Sequence, residues 1–150
     1  MPFNMGWKKN YKPGSSLYAW QDLGFSKVVG ADLDLDVVES CKDFTCLQVD
    51  QTQRESLMKL RSELDAMGLT PLDMIVDDGI HHVEFNLLTF EVLSPILMPG
   101  GIYVIEDLTQ SDIKSIILKL EQFKLSDWHI WINPSEGENC VMFIIEMNKI

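Results

Sequence analysis

Adjacent aspartates and adjacent histidines follow an apolar run in "MIVDDGIHHVEF", Met74 to Phe85. A second acid pair, Glu106-Asp107, closes another apolar run, "GIYVIEDL". Carboxylates crowded at one place repel and raise each other's pKa unless a cation sits between them. Asp78, Glu106 and Asp107 are therefore candidate ligands of a hard divalent ion such as Mg²⁺, which takes oxygen donors and keeps waters. His81 follows Asp78 by three residues, and an imidazole is the natural proton acceptor for a hydroxyl at neutral pH. A metal beside it would acidify that hydroxyl and ease the transfer. Against this stands the plainer account, in which acids cap strand-to-helix loops and histidines are structural. His82 has the weaker claim and simply begins the next helix, and Asp77 is cast in support.

The elements that must deliver these residues can be drawn from hydrophobic patterning. A helix begins from Gly14, with Ser15 or Ser16 near its N-cap and Leu17, Trp20 and Leu23 on one face. "SKVVGADLD", "FTCLQVD", "LDMIVDDG" and "GIYVIEDL" are short buried strands. "QRESLMKLRSELDAMG" places Leu57, Leu60, Leu64 and Met67 at helical spacing and closes on Gly68. A second amphipathic helix runs from His82 to Leu97 and ends at Pro99-Gly100-Gly101, and a third from about Ser111 to Phe123. "WHIWIN" and "CVMFIIEMN" flank a Pro/Gly/Asn turn as an antiparallel pair.

Strands alternating with helices predict an α/β fold with a Rossmann-like, mainly parallel sheet and a C-terminal antiparallel hairpin. Ligands of such sheets bind outside the carboxyl ends of the strands. Four predicted strands end in acid there: Asp32, Asp50, Asp77-Asp78 and Glu106-Asp107. Asp32, at the end of the first of these strands, can accept both hydroxyls of a ribose or cap the segment after it.

Length and composition set bounds. The 150 residues suit one domain, 1–150, with residues 1–13 an irregular N-terminal segment. Hydrophobic residues make up 46% and charged residues 23%, as in ordinary globular proteins. Twelve basic against 23 acidic residues give a net charge of −11, which repels phosphate backbones and argues against nucleic acid. No apolar run approaches the ~18 residues of a membrane helix, and no signal-peptide layout is present. No membrane association and a cytoplasmic location are therefore expected. Cys41, Cys46 and Cys140 form no metal-ligand spacing and are expected as reduced thiols.

"VDDGIHHVEFNLLTFEVLSPILMPGGIYVIEDL" resembles the core of class I S-adenosylmethionine-dependent methyltransferases. More narrowly, it is similar to metal-dependent O-methyltransferases of macrolide-sugar and surface-polysaccharide tailoring. The shared segments are Asp77 to His81, Pro99 to Gly101 and Ile105 to Asp107. Upstream, "NMGWKKNYKPGSSLYAWQDLGFSKVVGADLD" resembles the family's Gly-Ser-Leu helix and ribose-binding strand, and Val49 to Thr52 its Asp-Gln segment. The resemblance covers about Asn4 to Leu108.

It implies S-adenosylmethionine and Mg²⁺ as cofactors and a sugar or related small molecule as hydroxyl acceptor. The implied metal ligands are Asp78, Glu106 and Asp107, and the implied general base is His81. The implied cofactor-binding residues are Gly14 and Ser15 near the methionine end, Asp32 on the ribose, Asp50 and Gln51 near the adenine, and Asp77. The family's first strand and glycine-rich turn have no counterpart before Gly14. That gap suggests a homo-oligomer, with a second chain against the open edge. It also sustains an alternative, a truncated, non-catalytic methyltransferase-like domain acting as an interaction or structural module. A receiver-like phosphoacceptor domain fits the order of motifs poorly.

Overall fold

A computed structural model describes residues 13–120, 128–134 and 141–147, and shows two compact units, residues 1–49 and 50–150. The expected irregular segment lies almost entirely outside the described residues, as do Cys140 and the end of the last helix.

In the first unit, helix α1 (Ser15–Asp22) precedes strand β1 (Val29–Asp32), helix α2 (Leu35–Ser40) and strand β2 (Thr45–Gln48). β1 and β2 pair in parallel, Val29 opposite Thr45 and Asp32 opposite Gln48. Gly14 is the N-cap of α1, with Ser15 and Ser16 opening its first turn; the φ of 82° at Gly14 suits a residue without Cβ. Leu17 lies against Gly30, where a Cβ would come within 2.9 Å of Leu17 Cδ1 and Cys46 Sγ. Leu23, expected on the same face, is 72% exposed because the helix ends at Asp22. The two strands are less buried than their composition predicts: Gly30 alone is fully covered. α2 was not apparent from periodicity. It is started by Asp34, whose Oδ1 accepts the Asp36 N–H at 2.9 Å.

The second unit contains α3 (Arg54–Ala66), β3 (Leu72–Asp77), α4 (Val83–Leu93), a 3-10 turn (Ser94–Ile96), β4 (Leu97–Leu108), α5 (Gln110–Leu120), β5 (Trp128–Pro134) and β6 (Val141–Met147). Its sheet runs β3-β4-β6-β5. β3 and β4 are parallel, as a helical crossover through α4 requires, and β6 lies antiparallel to both β4 and β5. The expected C-terminal hairpin is therefore present.

β4 is paired on both edges, and Tyr103, Val104, Ile105 and Leu108 are all buried. Leu57, Leu60 and Leu64 of α3, Leu87, Phe90 and Leu93 of α4, and Ile113, Ile116 and Leu120 of α5 are buried with them. Phe90 meets Tyr103 edge to face at 5.0 Å. Met67, expected to continue the α3 stripe, is the C-cap and 45% exposed; the helix stops there against Gly68, whose φ is 66°. Among the described residues β3 pairs on one side only, and its apolar residues Met74, Ile75 and Val76 are half-buried.

Two boundaries differ from the sequence expectation. α4 stops at Leu93 because Pro95 has no N–H to continue the ladder, and the chain tightens into the 3-10 turn. Pro99-Gly100-Gly101 lies inside β4, where the pairing with β3 jumps from Leu72–Leu97 to Met74–Ile102. Gly101 is needed there, since a Cβ would sit 2.8 Å from the Met98 carbonyl oxygen.

Candidate functional site

Parallel pairing brings the carboxyl ends of β3 and β4 to the same side. Asp77 stands opposite Ile105 in the last pair of that ladder, so Asp78, just past β3, and Glu106-Asp107, still within β4, come to the same end of it. The pairing of β4 with β6 slips between Ile105 and Leu108, and Asp107 takes a φ of 53° within that irregularity. His81, on the loop after β3, has a φ of 51°. The result is a cluster: one ligand-capable atom from each of Asp78, His81 and Asp107 lies within 4.8 Å of the others. His81 Nε2 is 3.9 Å from Asp78 Oδ1.

Glu106 stands outside that triplet but feels it. Burial is the largest cause raising its pKa, followed by the charges of Asp78 and Asp107, while His81 pulls the other way. Asp78 is raised in the same manner, first by desolvation and then by Asp107, against the attraction of His81. The rim is thus short of positive charge.

Asp77 is buried beneath this loop, at 5% exposure. Its Oδ1 accepts from Gln51 Nε2 at 2.5 Å, and its Oδ2 from Asn86 Nδ2 at 3.0 Å and more distantly from the Tyr103 hydroxyl at 3.4 Å. The Gly79 backbone N–H also donates to it. Burial pushes the Asp77 carboxyl above its ordinary value in spite of these donors. Burial, and then the Asp77 charge, push the Tyr103 hydroxyl well up. Asn86 Oδ1 is buried with no hydrogen-bond partner among the described residues.

The remaining candidates divide between the units. Asp32 ends β1 and is exposed; its Oδ1 accepts the Asp34 N–H at 2.8 Å. Gly14 and Ser15 start α1. Asp50 lies two residues past β2, where its Oδ1 accepts from the Thr52 N–H at 2.9 Å and the Thr52 hydroxyl at 2.6 Å, while its own N–H donates to Ser56 Oγ at 2.9 Å. Gln51, expected at an adenine, has both ends of its carboxamide engaged by protein groups: Nε2 on Asp77 and Oε1 on the Ile80 N–H at 2.9 Å. His82 is the N-cap of α4, its ring 5.2 Å from that of Phe85. A groove of about 430 Å³ opens beside Phe85, Leu88 and Lys119, and no member of the acid rim lines it.

Sequence reasoning missed Asn86 and Tyr103 as parts of this corner. A lone Asn within the apolar run "FNLLTF" was the available signal, since a buried amide must find partners.

No protein-family model matches the chain. Among curated proteins, 8-demethyl-8-alpha-L-rhamnosyl tetracenomycin-C 2'-O-methyltransferase of Streptomyces olivaceus is 46% identical over 52 residues, covering 35% of this chain and 13% of the relative. Mycinamicin VI 2''-O-methyltransferase of Micromonospora griseorubida is 32% identical over 105 residues, covering 69% of this chain and 25% of the relative. Among solved structures, MycE methyltransferase from the mycinamycin biosynthetic pathway, in complex with Mg and SAH, matches with a TM-score of 0.66 at 22% identity, over 96% of this chain and 43% of that one. The chain thus spans a quarter or less of the length of the curated relatives it matches. It resembles class I S-adenosylmethionine-dependent methyltransferases in sequence, and its fold is their Rossmann-like one.

Proposed function

We propose that residues 1–150 form one methyltransferase-like domain that promotes S-adenosylmethionine-dependent, Mg²⁺-assisted methylation of a hydroxyl on a sugar or related small molecule. The observation that carries this reading is the convergence of Asp78, His81 and Asp107 at the ends of adjacent parallel strands. The relatives lend support, being O-methyltransferases by name, with a structural neighbour solved with Mg and SAH.

The donor set fits a hard divalent ion. Asp78 and Asp107 offer carboxylate oxygens, Glu106 adds negative potential, and the upward pull on the Asp78 and Glu106 carboxyls is a cost that a cation would offset. When bound, S-adenosylmethionine supplies an electrophilic methyl group and Mg²⁺ anchors and acidifies the acceptor hydroxyl.

The chain's own residues do the rest. His81, whose Nε2 lies 3.9 Å from Asp78 Oδ1, accepts the hydroxyl proton. Asp32 accepts ribose hydroxyls through the oxygen left over from the Asp34 bond. Gly14 and Ser15 serve the methionine end. Asp50 and Gln51 serve the adenine side, Gln51 through backbone and surface because both ends of its carboxamide are already held, and Asp50 with only Oδ1 engaged, by Thr52.

Calorimetric titration with S-adenosylhomocysteine, with and without MgCl₂, tests the proposal. Binding strengthened by Mg²⁺, together with loss of methyl transfer in Asp78→Ala, is expected; no binding at millimolar ligand would overturn it. One observation favours a second reading, the non-catalytic interaction module. β1 and β3 each pair on one side only among the described residues, and open strand edges invite pairing. Self-association without affinity for S-adenosylhomocysteine would select that reading, and turnover of any acceptor would exclude it.

A further inference from the structure

The loop from Asp78 to His81 has no regular structure, yet it must present two of the three clustered side chains. What fixes it comes from a different part of the chain. The Gln51 carboxamide donates from Nε2 to Asp77, the last residue of β3, and accepts at Oε1 from the N–H of Ile80. These two bonds span the loop from its first anchor to the residue before His81, with Asp78 and Gly79 enclosed between them. The amide orientation is forced by chemistry, because the flipped form would set oxygen against carboxylate and N–H against N–H.

The neighbours are arranged around this clamp. A Cβ on Gly79 would overlap the Gln51 carboxamide, so glycine is the residue that leaves room for it. Asp50 shapes the turn that aims Gln51, through its bonds to Thr52 and Ser56. Asn86 and Tyr103 hold the far oxygen of Asp77, so the carboxylate cannot swing away from Gln51.

We infer that Gln51 is a positioning residue, clamping the 78–81 loop through Asp77 and Ile80 so that Asp78 and His81 face Asp107. The consequence for metal affinity rests on the reading of this rim as a Mg²⁺ site; the clamp itself does not. Groups that orient ligands from behind are typically worth about 10- to 100-fold in metal affinity.

The test uses the full chain and four variants: Gln51→Leu, Gln51→Glu, the double variant Gln51→Glu/Asp77→Asn, and Gly79→Ala. Two quantities are measured, hydrogen exchange of the Ile80 amide and Mn²⁺ affinity from the electron paramagnetic resonance of free Mn²⁺. Gln51→Leu and Gly79→Ala should each speed exchange at Ile80 at least ~10-fold and weaken Mn²⁺ binding ~10-fold, with unchanged far-ultraviolet circular dichroism. Gln51→Glu sets carboxylate against carboxylate and should do the same. The double variant reverses donor and acceptor: the amide introduced at position 77 donates to the carboxylate introduced at position 51, which still accepts from the Ile80 N–H. It should return both quantities towards the parent. Unchanged exchange in Gln51→Leu would overturn the inference, as would a double variant no better than Gln51→Glu. A parent chain that binds no Mn²⁺ would sink the metal reading alone, and exchange at Ile80 would still decide the clamp. Should Gln51→Leu fail to fold, Gly79→Ala and the comparison of Gln51→Glu with the double variant decide instead.

Discussion

Desolvation and the neighbouring Asp107 hold the Asp78 carboxyl above its ordinary range, more strongly than His81 draws it down. A carboxyl raised by folding binds protons more readily in the native than in the unfolded chain. Its contribution to stability is therefore complete below the unfolded pKa and lost as pH rises through the folded one. At pH 7 the metal-free chain bears that loss, and Asp78→Asn removes it. Asp78→Asn should raise the melting temperature at pH 7 by no more than ~3 °C, since a largely solvated carboxylate is worth under ~1 kcal/mol. The gain should vanish near pH 3.5, and MgCl₂ should stabilise the parent but not the variant; scanning calorimetry at the two pH values reads all three. These residues were legible by type, since loop capping accounts for any one of these acids but less well for a set of them at two strand ends. The part Gln51 plays in holding the loop was not legible. Its bonds to Asp77 and Ile80 depend on where two distant turns meet, which no spacing along the chain encodes.

Helices with a clean apolar stripe were readable to within a residue or two, because burial of one face dictates their period. α3 is the clear case: Leu57 is 1% exposed, and Leu60 and Leu64 are buried beside it as the spacing predicts. Leu57→Ala should cost about 2–5 kcal/mol, measured by urea unfolding, whereas Met58→Ala, on the exposed face, should cost under ~0.5 kcal/mol. What failed was punctuation. Pro95 ends α4 earlier than Pro99-Gly100-Gly101 was expected to, and that tripeptide became an irregularity inside β4. α2 is too short to show a period, and only the Asp34 cap betrays it.

For the chain as a whole, a net charge of −11 means that like charges repel across the folded surface. Raising NaCl from ~20 to ~200 mM shortens the screening length to under ~10 Å, so the melting temperature should rise; a flat response would show that the acids are balanced locally. The fold class and the shared rim of β3 and β4 were legible because alternation of strand and helix leaves few topologies. The half-exposed state of β1, β2 and β3 was not, since apolar content does not say how many of a strand's edges are covered. The left-handed backbones of His81 and Asp107 have a consequence for heritable change. Such a conformation costs a non-glycine residue about 1–2 kcal/mol, part of which glycine would return to the unfolded chain as entropy. His81→Gly and Asp107→Gly should each gain up to ~1 kcal/mol in thermal stability, by calorimetry of the metal-free chain. Lineages selected for heat resistance alone would drift towards glycine at both positions and asparagine at 78, erasing the rim while improving the protein.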